Sequence, residues 1–94
     1  MTDEIDGVNV INAESHADHR GRLVQVLQAS DSSIRFVQAN HSHSVRHVLR
    51  GLHYHRRQID WWYLASGSAR VALVDVRRKV ERPPVQIIEL RVNP

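Results

Sequence analysis

The chain reads as all-β, an antiparallel sandwich, jelly roll or partial barrel built as a single domain over residues 1–94. Three observations carry that reading. Seven short runs rich in β-branched, leucine or aromatic residues recur along the chain. Almost no stretch shows the 3.6-residue apolar period of a helix. Clusters of Gly, Ser, Asp and Pro punctuate the runs, as they do between strands. Short strands so spaced fit a sandwich or barrel.

The elements follow in order. Residues 8–12, Val-Asn-Val-Ile-Asn, form a short β-branched run. A turn at Arg20-Gly21 leads into a second run over 23–27. Residues 29–33, Ala-Ser-Asp-Ser-Ser, have loop composition. Two further strands are predicted over 34–40 and 48–54. The aromatic run 61–64 enters a tight turn at Ser66-Gly67-Ser68, and 69–76 is the best strand of the chain. That turn and its flanks predict a hairpin. A polar, proline-closed connection over 77–84 precedes a last strand over 85–92. This strand needs a partner, because an unpaired strand exposes a row of hydrogen-bonding groups. The partner is an early segment, another subunit, or the rest of a larger barrel.

Ninety-four residues bound the size at one domain with a thin core. The apolar fraction is 41% and the charged fraction 24%, ordinary values for a folded chain. No apolar run approaches the ~20 residues of a membrane span. With no cysteine, disulfide scaffolds, zinc fingers and cysteine nucleophiles are excluded, and a cytoplasmic location is expected. The net charge is +3, with twelve arginines and a single lysine, Lys79. The basic residues are scattered apart from Arg56-Arg57 and Arg77-Arg78-Lys79, which argues against a nucleic-acid surface. Arginine suits bidentate recognition of phosphate or carboxylate, so an anionic small molecule is the expected ligand.

Five of the seven histidines, His41, His43, His47, His53 and His55, lie within one short stretch. On a strand, His53 and His55 would point to the same face. Val8, Leu23, Phe36 and Trp62 are candidates for the β core around them. Two chemistries fit the pair. One is a metal held by His53, His55 and Asp60, since imidazoles with a carboxylate suit Fe, Mn, Ni or Zn. That His-x-His, acidic residue and later Gly67 resemble the first motif of the cupins, whose pattern calls for a further histidine from a second motif; none follows His55. The other chemistry is proton abstraction by histidine, whose ordinary pKa near 6.5 suits a base at neutral pH.

A more specific resemblance favours the second. Val37-Gln38-Ala39-Asn40-His41-Ser42-His43-Ser44, followed by Val48-Leu49-Arg50-Gly51-Leu52-His53-Tyr54, resembles the signature of the dTDP-4-dehydrorhamnose 3,5-epimerases. Asp18-His19-Arg20-Gly21 and Val74-Asp75-Val76-Arg77 resemble two further segments of that family. The resemblance spans residues 8–92 and implies a cupin-type barrel without metal or other cofactor. The implied ligand is a nucleotide-diphosphate sugar, a dTDP-4-keto-6-deoxyhexose. Its C3 and C5 protons are acidic because each is α to the ketone. Removal of one gives an enolate, and return on the other face inverts the centre. By the resemblance His53 is the catalytic base, Arg50 and Arg20 bind the anionic substrate, and Gln38 and Asn40 line the site. It also implies a homodimer with strands exchanged between subunits, and no nucleic-acid or membrane partner.

The chain departs from the family pattern at several positions. Asp60 stands where the family has a lysine that holds the enolate oxygen, Gln25 where it has glutamate, and His55 where it has glutamine. The loop after His53 is shorter. The family's opposite-face tyrosine, and the acidic residue orienting the base, would lie beyond Pro94. On this reading His55 and Asp60 tune His53 or bind the sugar in place of the lysine, and Gln25 is a further substrate-binding candidate. The alternatives are the metal- or ligand-binding cupin and a non-catalytic relative of the epimerases.

Overall fold

The computed structural model describes residues 2–28 and 35–92. Among these residues there are strands and no helix, so the chain is all-β. The strands are β1 (Glu14–Asp18), β2 (Gly21–Gln25), β3 (Ser68–Val74) and β4 (Val85–Arg91). They form two antiparallel sheets of two strands each, β1 with β2 and β3 with β4. The chain divides into two compact units, Met1–Ala13 with Trp62–Pro94, and Glu14–Trp61.

In the first unit, alternation organises the sheet. Ala69, Val71 and Leu73 face the same side as their cross-strand partners Leu90, Ile88 and Gln86, and all six are half-buried. The opposite side carries Arg70 across from Glu89, joined by an Nε–Oε1 bond of 2.6 Å. The connection over 75–84 is closed by the Asp75 N–H donating to the Pro84 carbonyl at 2.9 Å. Asp75 also accepts from the Arg77 N–H at 3.0 Å and from its guanidinium at 2.8 and 2.7 Å. These donors, the Arg77 side chain first, hold the Asp75 carboxyl down at about 2.

The last predicted strand finds partners within the chain. β4 pairs with β3, and its far edge is met by the N-terminal segment. The Asp3 N–H donates to the Val85 carbonyl at 2.8 Å, and the Val85 N–H donates to Asp3 Oδ2 at 2.9 Å. The Ile5 N–H is taken by Gln86 Oε1 at 2.9 Å, and Arg77 reaches the Asp6 carbonyl at 2.9 Å.

In the second unit, β1 and β2 make a tight hairpin in which Asp18 pairs with Gly21. Gly21 has φ +132°, a conformation open to glycine and closed to residues with a Cβ. The Asp18 side chain stabilises the turn by accepting the Arg20 N–H at 2.8 Å, the local bond that makes aspartate a turn former. The same Asp-x-Arg arrangement recurs at Asp75 and Arg77.

The structure corrects several sequence expectations. The runs 23–27, 69–76 and 85–92 correspond to β2, β3 and β4. No strand forms over 8–12, 48–54, 61–64 or the described part of 34–40. A strand exists only where its N–H and C=O groups meet a partner, and β-branched residues do not supply one. In 48–54 Gly51 also has φ +137°, outside the range of a regular strand. Conversely, the polar segment Glu14–Asp18 is a strand because the turn delivers it to β2. The hairpin predicted around Ser66-Gly67-Ser68 is replaced by β3 pairing with β4 across the longer connection. The expected core does not close. Leu23 is 70% exposed, Trp62 61% and Phe36 45%, and no described residue is fully buried. The loop at 29–33, Ile34, Asn93 and Pro94 lie outside the described residues.

Candidate active site

All eight residues singled out by sequence, Arg20, Gln25, Gln38, Asn40, Arg50, His53, His55 and Asp60, fall within the unit Glu14–Trp61. Every one of them is exposed. Seven of them fall into four local groups, and His53 stands outside these.

The first group is the β1–β2 hairpin. Arg20 sits in the turn, where its Nε and Nη2 reach Asp18 Oδ2 at 3.2 and 2.6 Å. The guanidinium, and after it the Arg20 N–H, hold the Asp18 carboxyl below the usual aspartate range. An open depression here is lined by His16, Asp18, Arg20, Gly21, Arg22 and Leu23. Gln25 lies at the other end of β2, opposite Glu14. Four strand steps from Gly21 amount to about 13 Å, so the hairpin separates Arg20 from Gln25.

The second group is Gln38 and Asn40, joined by Nε2 donating to Oδ1 at 3.2 Å. The third is a clasp made by Arg50. Its Nε donates to Ser44 Oγ at 2.7 Å and its Nη2 to the His43 carbonyl at 3.1 Å, closing the histidine-rich segment onto itself. The fourth is the loop after His53. His55 Nε2 lies 3.7 Å from Asp60 Oδ2, an ion-pair distance, and Asp60 Oδ1 accepts from Gln58 Nε2 at 2.6 Å. Where the unit ends, Phe36 and Trp61 stack edge to face with centroids 6.1 Å apart.

His53 makes no hydrogen bond or ion pair among the described residues. Asp60 is therefore the neighbour of His55. Among the described residues no three His, Asp or Glu side chains gather closely enough to hold a metal ion. The described residues also contain no helix long and apolar enough to cross a membrane.

Three contributors were not singled out from sequence: Asp18, Ser44 and Gln58. For Asp18 the signal was present in the Asp-x-Arg spacing, since a carboxylate at one residue reaches the N–H two further on. Gln58 stands in the same relation to Asp60, two residues apart. Ser44 had no such signal, because its bond to Arg50 depends on how the intervening chain folds back.

The chain was compared with known proteins. A family described as dTDP-4-dehydrorhamnose 3,5-epimerase matches residues 2–84. The spore coat polysaccharide biosynthesis protein SpsL of Bacillus subtilis (strain 168) is 36% identical over 74 residues, covering 78% of this chain and 49% of that protein. A dTDP-4-dehydrorhamnose 3,5-epimerase of Methanothermobacter thermautotrophicus is 41% identical over 59 residues, covering 57% of this chain and 32% of that protein. The chain thus spans about half the length of the first relative and about a third of the second. No solved structure matches it.

Proposed function

The chain belongs to the dTDP-4-dehydrorhamnose 3,5-epimerase family, and from that premise we propose that it moves protons α to the ketone of a dTDP-4-keto-6-deoxy sugar. One observation carries the reading. The matched residues 2–84 contain the whole Leu49-Arg50-Gly51-Leu52-His53 segment and every other candidate site residue.

His53 is the base. It is exposed and engaged by no other described side chain, so its imidazole is available to a substrate. It takes a proton from the carbon beside the ketone, and an enolate is left on the sugar. Return of a proton to that carbon completes the exchange, with inversion where it arrives on the other face. Arg50 and Arg20 attract the diphosphate. Each is already held by local acceptors, Ser44 Oγ and the His43 carbonyl for Arg50 and the Asp18 carboxylate for Arg20, and this orients the guanidinium before the ligand arrives. Gln38 and Asn40, paired with each other, offer amide groups to the sugar hydroxyls.

The working unit on this reading is a homodimer. Leu49, Leu52 and Val37 are 94%, 89% and 93% exposed in the unit that carries the site. A second copy covering these side chains would remove their apolar surface from water and exclude water from the proton transfer. A second reading, binding without catalysis, is favoured by Asp60, which places negative charge near the developing enolate.

Deuterium exchange into a dTDP-4-keto-6-deoxy sugar, followed by proton NMR in D₂O, tests the proposal. Loss of proton signal at carbon 3 or carbon 5 is expected with the wild-type chain and not with His53→Ala. Saturable binding of the sugar without exchange selects the second reading. Absence of both binding and exchange rejects the first and the second together.

A further inference from the structure

Arg20, Arg70 and Arg77 are each held by a carboxylate, Asp18 at 2.6 Å, Glu89 at 2.6 Å and Asp75 at 2.7 Å. Arg50 is held differently. Its acceptors are the Ser44 hydroxyl at 2.7 Å and the His43 carbonyl at 3.1 Å, both neutral. No carboxylate pairs with it among the described residues. The difference bears on an anionic ligand. A carboxylate orients a guanidinium and also offsets its charge. A hydroxyl and a carbonyl orient it and leave the charge whole. Ser44 and His43 occupy the edge formed by Nε and Nη2. The edge formed by Nη1 and the second hydrogen of Nη2 bonds no other described group, and parallel donors of that kind match the oxygens of a phosphate.

Arg20 gives the same Nε and Nη2 edge to Asp18, whose carboxyl its guanidinium holds below the usual aspartate range. That pair is charged on both sides at neutral pH, and its net field is small. The two arginines assigned to the diphosphate are therefore not equivalent. We propose that Arg50 is the principal anion-binding residue and that Ser44 is its positioning residue, while Arg20, its charge offset by Asp18, contributes the lesser part. This rests on the reading above that the ligand carries a diphosphate. Ser44 touches no phosphate on this inference. It acts through Arg50, by fixing the plane in which the free edge of the guanidinium is presented.

Isothermal titration calorimetry of the whole chain with dTDP and with inorganic pyrophosphate, at one ionic strength, tests it. Arg50→Gln is expected to weaken both by about 10-fold or more, the usual weight of a charge-assisted hydrogen bond. Arg20→Gln should weaken them by no more than about threefold. Asp18→Asn keeps a side-chain oxygen for the Arg20 N–H and removes the offsetting charge, so it should tighten binding by about twofold to threefold. Ser44→Ala should weaken binding by about threefold, and Ser44→Thr, which keeps the hydroxyl, should restore it. In an Arg50→Gln background Ser44→Ala should have no further effect, an outcome that a merely structural role for Ser44 would not give. The inference is overturned if Arg20→Gln weakens binding as much as Arg50→Gln, if Asp18→Asn fails to tighten it, or if the effects of Ser44→Ala and Arg50→Gln add in full. A wild-type chain that binds neither probe also overturns it. Deuterium exchange is read separately. Exchange with the order of the two arginines reversed removes this inference and leaves the epimerase reading standing. The expected order without exchange removes the epimerase reading and leaves Arg50 and Ser44 as an anion site.

Discussion

The two compact units each hold one two-stranded sheet, yet they treat apolar surface in opposite ways. In the unit Met1–Ala13 with Trp62–Pro94, the alternating residues of β3 and β4 share a half-buried face, and the N-terminal segment bonds to the sheet edge. In the unit Glu14–Trp61, Val24 and Trp61 alone among the described residues are half-buried, and the rest are exposed. The first unit therefore carries the packing, and the second carries the proposed site on short local clasps. An isolated two-stranded sheet is at best marginally stable. A site built from such clasps gains from further burial, which the proposed second copy would provide.

The largest expected effect lies in the site unit. His53→Ala should lower deuterium exchange by about 10²–10⁴-fold, the usual contribution of a positioned base. Its circular dichroism spectrum should not change, because His53 holds no other described residue. A spectrum altered as much as the activity would mean that the site unit does carry packing through His53, and the contrast between the units would fail.

Core truncation sharpens the contrast. Ile88→Ala removes apolar contacts from the half-buried face. It should cost about 1–2 kcal/mol in urea unfolding, less than the 2–5 of a fully buried residue. Leu52→Ala, at a residue 89% exposed, should change monomer stability by no more than about 0.5 kcal/mol. If a second copy covers Leu52, the same substitution should shift sedimentation toward the monomer. Equal stability losses at Ile88 and Leu52 would erase the distinction.

The hairpin of the site unit depends on one backbone conformation. A Cβ at Gly21 would meet nothing within 4 Å, so the cost of Gly21→Ala is conformational. A loss of about 1 kcal/mol is expected by thermal unfolding. A neutral result would show that the turn relaxes freely.

The two Asp-x-Arg turns allow a pH comparison. Asp75 is held at about 2 by Arg77, below an ordinary carboxylate near 4. A folded pKa below the unfolded one adds stability above pH 4, and this is lost as pH falls from about 4 through about 2. Asp18 moves in the same direction through Arg20. Side-chain carboxyl NMR should find both titrating below the free range, and Arg77→Gln should return Asp75 toward 4. An Asp75 midpoint unmoved by that substitution would exclude Arg77 as the cause.

The smallest effect is expected at the Arg70–Glu89 pair across β3 and β4. Both side chains are largely exposed, at 74% and 42%. A double-mutant cycle to alanine should give a coupling of about 0.5 kcal/mol or less, falling further in salt. A coupling well above 1 kcal/mol would mean that this outer face is covered in solution.

Much of the sheet unit was legible in advance. The runs 69–76 and 85–92 alternate in a way that suits a half-buried sheet, and they correspond to β3 and β4. The candidate site was read from the sequence as a set of residue types and motif spacings. It was not legible as an arrangement: Asp60 lies with His55, and Arg20 and Gln25 stand at opposite ends of one hairpin. Residues 48–54 mislead because Val48, Leu49 and Leu52 have strand propensity while the segment finds no strand partner among the described residues.

What the sequence determined by itself is therefore the local and the chemical: the all-β class, the family, the Asp-x-Arg turns and the residues able to carry protons or bind anions. Residues two apart lie within reach of each other, so Asp18 with Arg20 and Asp75 with Arg77 are contacts that the spacing permits. Only the tertiary structure decided which strand met which, that the N-terminal segment would reach Val85, and that Arg50 would close on Ser44. The physical reason is that backbone groups accept any partner of suitable geometry. The choice among partners distant in sequence belongs to the fold as a whole.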